Sequence, residues 1–161
     1  MSPLEPASLD WLIARPIAHR GLHDRSRGII ENSKSAFAAA IEHDYAIECD
    51  LQISGDGEAM VFHDAELDRL TARSGRVDTL SADALGEIAL SGTTDRPQRL
   101  DELLVQVNDR VPLIIELKSH WDGSRRLAKR TCDIVRDYNG QAALMSFDPV
   151  VVAAIGEYAP K

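Results

Sequence analysis

The chain has 161 residues, of which 44% are hydrophobic, and it carries a formal net charge of -8. That length fits one domain, residues 1–161, with enough apolar material for its own core. The acidic balance argues against nucleic acid or an anionic membrane surface as partner, and no apolar run is long enough to cross a bilayer.

The opening stretch MSPLEPASLDWLIARP has no basic start followed by an apolar core, so no secretory leader is expected. Cys49 and Cys132 are the only cysteines and have no metal or redox spacing, which predicts two buried thiols and fits a cytoplasmic setting. LIARPIAHRG predicts a short strand ending near His19. SKSAFAAAIEHDY predicts a helix with Phe37, Ala40, Ile41 and Asp44 at helical spacing and Asn32 or Ser33 as cap. IECDLQISGDGEAMVFHD then reads as strand, turn, strand. A tight hairpin centred on Gly55-Asp56 would set Glu48 opposite His63, whereas a parallel return would bring both to one strand end.

SADALGEIAL and PQRLDELLVQV read as helices, the second with Leu100, Leu103, Leu104 and Val107 on one face. VPLIIELK is a buried strand. RRLAKRTCDIVRDYNG reads as a helix with Leu127, Ile134, Val135 and Tyr138 inward, closed by Asn-Gly. QAALMSF is a further strand, and DPVVVAAIGEY a helix with Asp148 as cap and Pro149 at its first position. Strands near Ile17, Ile47, Val61, Ile114 and Leu144, mostly alternating with helices, predict a mainly parallel α/β fold.

Successive strand residues face opposite ways, so Glu48, Asp50 and Gln52 share one face while Cys49, Leu51 and Ile53 share the other. Glu116 and Lys118 repeat the anomaly in LIIELK. Three carboxylates on strand faces suit a hard divalent cation bound through oxygen. An internal salt-bridge network with Arg20 and Lys118 would account for the same residues. His19 and His63 each end an apolar strand. Two imidazoles beside such acids can act as general base and general acid in one turnover, with Arg20 and Lys118 holding an anion. His43 suits a helix end, His120 and Trp121 a loop beyond the strand, and RRLAKR a solvated helix face.

Taken in order, IAHRG, ENSKSAF, IECDLQISGDGEAMVFHD, LDRLT, LIIELKS and SFDP resemble the glycerophosphodiester phosphodiesterases. The resemblance implies a TIM-type (β/α) barrel with its site at the carboxyl ends of the strands. It implies hydrolysis of a glycerophosphodiester to an alcohol and glycerol phosphate, in one family mechanism through attack by the glycerol 2-hydroxyl and a cyclic phosphate. By the same resemblance His19 and His63 are the acid-base pair, and Glu48, Asp50 and Glu116 bind a divalent metal, Mg²⁺ or Ca²⁺. Arg20 and Lys118 hold the phosphate, and Glu31 and Asn32 support the site.

The length departs from that pattern. A complete barrel takes about 250 residues, about 200 at the low end, so about five strand units and a missing C-terminal part are expected here. Two alternatives follow. One is a catalytically incomplete barrel fragment whose open edge is covered by a partner or a second copy. The other is a lysophospholipase D-like activity, which an apolar mouth would favour, although Trp11 and Trp121 do not by themselves make one.

Overall fold

In the computed structural model, residues 8–159 are described; residues 1–7, part of the stretch expected to lack a leader, lie outside them. Strand β1 (Ile17–Ala18) leads into helix α1 (Lys34–Glu42), and β2 (Ala46–Ile53) turns into β3 (Ala59–Val61). Two helices, α2 (Ala82–Gly86) and α3 (Leu100–Val107), come before β4 (Leu113–Leu117). Helix α4 (Arg126–Val135), strand β5 (Ala142–Met145) and helix α5 (Pro149–Tyr158) complete the order.

The sheet order is β1-β2-β4-β5, all parallel. This is a partial (β/α) barrel wall, and the expected α/β class holds. All five expected strands form, but only four of them build the wall. Strand β3 runs antiparallel to the carboxyl end of β2. Because Leu51 pairs with both Leu117 and Val61, β3 lies on the edge of β2 opposite β4, beyond the short β1. Among the described strands β1 and β5 are the outer members of the wall.

The β2–β3 register pairs Leu51 with Val61 and Ile53 with Ala59, one residue away from that of a hairpin centred on Gly55-Asp56. The loop explains the shift. Ser54 and Glu58 close it through a Ser54 N–H bond to the Glu58 carbonyl, leaving three residues between them rather than two. Gly57 takes φ +94°, and the Ser54 hydroxyl donates to Asp56 at 2.6 Å while accepting from the Glu58 amide at 2.8 Å. Glu48 is therefore out of line with His63.

Local rules set most helix ends. The Ser33 hydroxyl caps α1, and the Asp148 carboxylate caps α5 with Pro149 in the first turn. Asp44 lies outside α1 at φ +56°. Helix α4 stops at Val135, four residues before Asn139, and its buried face is carried by Leu127, Ala128, Thr131, Cys132 and Val135. Ile134 and Tyr138 pack only part-buried against it. The segment SADALGEIAL yields a single turn-and-a-half of helix.

One core lies between the helices and the outward face of the sheet. Phe37, Leu100, Leu103, Val107 and Ala128 meet Ile47, Cys49, Leu51, Leu113, Ile115 and Leu117 there. A second apolar cluster joins Ile30, Phe62, Leu67, Leu70, Val77, Leu85 and Leu90, and it anchors the long excursion between β3 and α3. The inward face of the wall keeps the polar residues Glu48, Asp50, Gln52 and Glu116, every one of them buried.

Candidate active site

Parallel register builds the acid cluster directly. Asp50 pairs with Glu116 across β2 and β4, so both side chains stand on the same inward face, with Glu48 one step earlier on β2. One oxygen from each of Glu48, Asp50 and Glu116 lies within 4.8 Å of the others. Burial, then the Asp50 and Glu116 carboxylates, push the Glu48 carboxyl up to about 7, against the opposing pull of the Arg20 amide.

Two cations face the acids. The Lys118 ammonium lies 2.6 Å from Glu116 Oε1 and 2.9 Å from Asp50 Oδ1. Burial acts to lower its pKa, but the contacts with Glu116 and Asp50 outweigh that and raise it. Arg20 sits just beyond β1 at φ +58°, a conformation that L-residues adopt rarely. That twist turns its backbone N–H onto Glu48 Oε2 at 2.8 Å and its side chain towards Glu31 Oε1, also 2.8 Å. Asn32, likewise at φ +53°, pairs its amide with Asp50, donating to Oδ2 at 2.7 Å and accepting from the Asp50 N–H at 3.1 Å. Gly21 between these elements has its Cα pressed against α1.

The donor set fits a hard divalent cation. Asp50 Oδ1 is buried with no aligned hydrogen bond despite the nearby lysine, and buried Arg20 Nε stands 3.4 Å from Asp50 Oδ2 without one. Within the connected cluster the five carboxylates Glu31, Glu48, Asp50, Asp64 and Glu116 meet the three fixed cations Arg20, Arg69 and Lys118. This excess of carboxylates over cations helps hold the Glu48 carboxyl high, and a divalent ion would relieve it. The salt-bridge network expected as the alternative is therefore present, and it is incomplete on its own.

The two histidines are placed differently. His19 follows β1, is mostly exposed, and has Nε2 3.9 Å from Glu48 Oε2. His63, just beyond β3, directs Nδ1 to its neighbour Asp64 Oδ1 at 2.6 Å. The contacts of His63 lead not to the acid cluster but to a chain of side chains. Arg69 binds Asp64 and Glu31 together, and Glu31 reaches Arg20. Hydrogen bonds from Arg69, reinforced for Glu31 by Arg20 and for Asp64 by His63, hold both carboxyls down at about 2 despite partial burial. Gln52 anchors the same loop by donating to the His63 carbonyl at 2.8 Å while its Oε1 meets His120 Nε2 at 3.1 Å.

The sequence by itself assigned no role to Asp64, Arg69 or Gln52. Gln52 shares the face of Glu48 and Asp50, and Asp64 follows a strand-end histidine, so those two had a local signal. Arg69 had none beyond its place in LDRLT, since its partners lie 5 and 38 residues away.

Known proteins carry the same arrangement of elements. A structure from Agrobacterium tumefaciens str. C58, described as a glycerophosphodiester phosphodiesterase, matches with TM-score 0.79 and 25% identity over 91% of this chain and 63% of that one. An Oleispira antarctica phosphodiesterase, solved in complex with the product sn-glycerol-3-phosphate, shares the fold with TM-score 0.78 and 21% identity over 89% of this chain and 61% of its own. The Bacillus subtilis (strain 168) protein YhdW, whose name assigns it provisionally to the glycerophosphodiester phosphodiesterases, is 32% identical over 113 residues. That match covers 65% of this chain and 44% of the relative, so the chain spans less than half the length of that curated protein. The model of the glycerophosphoryl diester phosphodiesterase family matches residues 19–161, from the strand-end histidine through the acid cluster to the last helix, and the chain belongs to that family.

Proposed function

We propose that this chain carries the active site of a metal-dependent phosphodiesterase that hydrolyses glycerophosphodiesters to an alcohol and glycerol phosphate. The observation that carries the reading is the buried Glu48–Asp50–Glu116 cluster, in which carboxylates outnumber the Arg20 and Lys118 cations, with His19 beside it. Glu48, Asp50 and Glu116 would hold Mg²⁺ or Ca²⁺, which supplies charge stabilisation for the phosphodiester oxygens. Arg20 and Lys118 bind the anionic phosphate, and Glu31 and Asn32 keep Arg20 and Asp50 in place.

His63 donates Nδ1–H to the Asp64 carboxylate, because a carboxylate held at about 2 can only accept. Its Nε2 lone pair is the base that takes the proton from the attacking hydroxyl as the new O–P bond forms. Asp64 then stabilises the imidazolium. His19, exposed beside Glu48, gives a proton to the departing alkoxide as the old P–O bond breaks. Exchange of these roles lets water open a cyclic phosphate and returns both imidazoles to their starting states. The two buried, unpaired cysteines suit a reducing compartment, and we place the enzyme in the cytoplasm.

The test is release of glycerol phosphate from glycerophosphocholine with and without EDTA, then with Mg²⁺ or Ca²⁺ restored. Metal-dependent turnover that falls at least ~100-fold in both His63→Ala and His19→Ala is the expected result. Wild-type protein that binds metal yet hydrolyses nothing would show that this chain is not by itself the catalyst. In that event the edges of β1 and β5, unpaired among the described residues, favour assembly with a second copy, read by solution mass. Trp121 and Phe147, exposed on the loops after β4 and β5, are the observation that favours lysophospholipids as further substrates.

A further inference from the structure

We infer that Arg69 is the positioning residue of this site. Through Asp64 it holds His63 in the tautomer that leaves Nε2 unprotonated, and through Glu31 it locks that histidine to Arg20. The inference rests on the reading of His63 as the proton carrier but concerns a ground-state property measurable without turnover.

The geometry is specific to a guanidinium. Arg69 Nε and one terminal nitrogen grip Asp64 at 2.6 and 2.8 Å, and both terminal nitrogens reach Glu31 at 2.9 and 2.7 Å. One planar fork thus satisfies two carboxylates from two separate segments, which a point-charge ammonium cannot do with the same directionality. Asp64 Oδ1 accepts from Arg69 and from His63 Nδ1 together, so the direction of the imidazole follows the direction of the carboxylate. Among the described residues nothing bonds His63 Nε2.

Arg69 is itself held in place from beneath. Leu67 and Leu70 on either side are buried in the second apolar cluster. The Leu67 amide donates to the Gly75 carbonyl, the Thr71 hydroxyl donates to the Leu67 carbonyl at 2.9 Å, and the Gly75 amide donates to Asp68 Oδ2 at 3.1 Å. LDRLT thereby places two leucines in the core and aims the arginine between them at the site. Misplacing a catalytic base by about 1 Å can cost about 100-fold in rate, so the four hydrogen bonds by which Arg69 fixes the Asp64 and Glu31 carboxylates have a kinetic consequence.

The experiment is ¹⁵N NMR of the His63 side chain in the metal-free protein, at a pH where the imidazole is neutral. The signal is assigned by its loss in His63→Asn. The wild type is expected to show predominantly the Nδ1–H tautomer. In Arg69→Met the population shifts towards Nε2–H, Arg69→Lys recovers part of the wild-type state, and Arg96→Met, which removes the surface pair with Glu87, changes nothing. A wild-type imidazole already in the Nε2–H form overturns the inference even if no variant folds. So does Arg69→Met with an unchanged tautomer. In the hydrolysis assay Arg69→Met is expected to lower kcat ~10–100-fold with KM little changed. Absence of any wild-type hydrolysis would show that this chain is not by itself the catalyst and leave the tautomer result standing.

Discussion

Lys118→Met tests whether the acid cluster is a cation site or a finished salt-bridge network. In the metal-free fold the ammonium occupies Glu116 Oε1 at 2.6 Å and Asp50 Oδ1 at 2.9 Å, two of the oxygens a divalent ion would need. Each charge-assisted contact of a partly exposed lysine contributes about 1 kcal/mol once screening is allowed for. An entering ion therefore displaces about 2 kcal/mol of existing interaction. Since 1.4 kcal/mol is tenfold in an equilibrium constant, removing the ammonium should tighten Mn²⁺ or Mg²⁺ binding by roughly 30-fold. Isothermal titration against metal-free protein reads this directly. The same change leaves Asp50 and Glu116 buried without their cation, so metal-free stability should fall by about 2–4 kcal/mol. Saturating metal should restore most of it through RT ln(1 + [L]/Kd). A folded Lys118→Met with equal or weaker metal affinity would mean that lysine and cation do not compete for these oxygens, and the placement of the metal would be wrong.

Acid should weaken the Arg69-centred chain in a defined window. The Glu31 and Asp64 carboxyls are held at about 2 in the fold, against 4.5 and 3.8 for the free groups. Their contribution is complete above about pH 4.5 and is lost as pH falls towards 2. Urea unfolding between pH 5 and pH 2.5 should show Glu31→Gln losing less stability than wild type by roughly 1 kcal/mol after screening; parallel curves would deny the contact. Gly21→Ala should destabilise by about 2–3 kcal/mol. At φ +80° an added Cβ would stand 2.8 Å from Ala36 Cβ and 2.9 Å from the Ala36 carbonyl carbon. A thermal unfolding midpoint equal to wild type would refute the close approach of Gly21, in the loop after β1, to Ala36 of α1.

Much of the fold was legible because its causes are local. The two-residue alternation in IECDLQI and LIIEL sends Cys49, Leu51, Ile115 and Leu117 to the helices and leaves Glu48, Asp50 and Glu116 on the other face. Caps such as Ser33 and Asp148-Pro149 act within one turn of chain, so they too could be read directly. Helix α4 is the instructive failure among local features. Its pattern runs on to Asn139-Gly140, yet the helix releases at Val135, and residues short of the Asn-Gly stop leave the helical path.

Tertiary structure alone decided who meets whom. Whether Glu48 faces His63 depends on a loop of three residues instead of two, and a shift of one residue turns every cross-strand partner aside. Asp50 and Glu116 become neighbours only because two strands separated by the long β3–α3 excursion are paired in parallel register. The link from His63 through Asp64, Arg69 and Glu31 to Arg20 joins residues whose spacing in the chain carries no period. By itself the sequence determined which side chains turn away from the apolar core, since alternation along a strand needs no partner. The partners of those side chains were set by strand register and by the anchoring of LDRLT on its leucines, which exist only once distant segments pack.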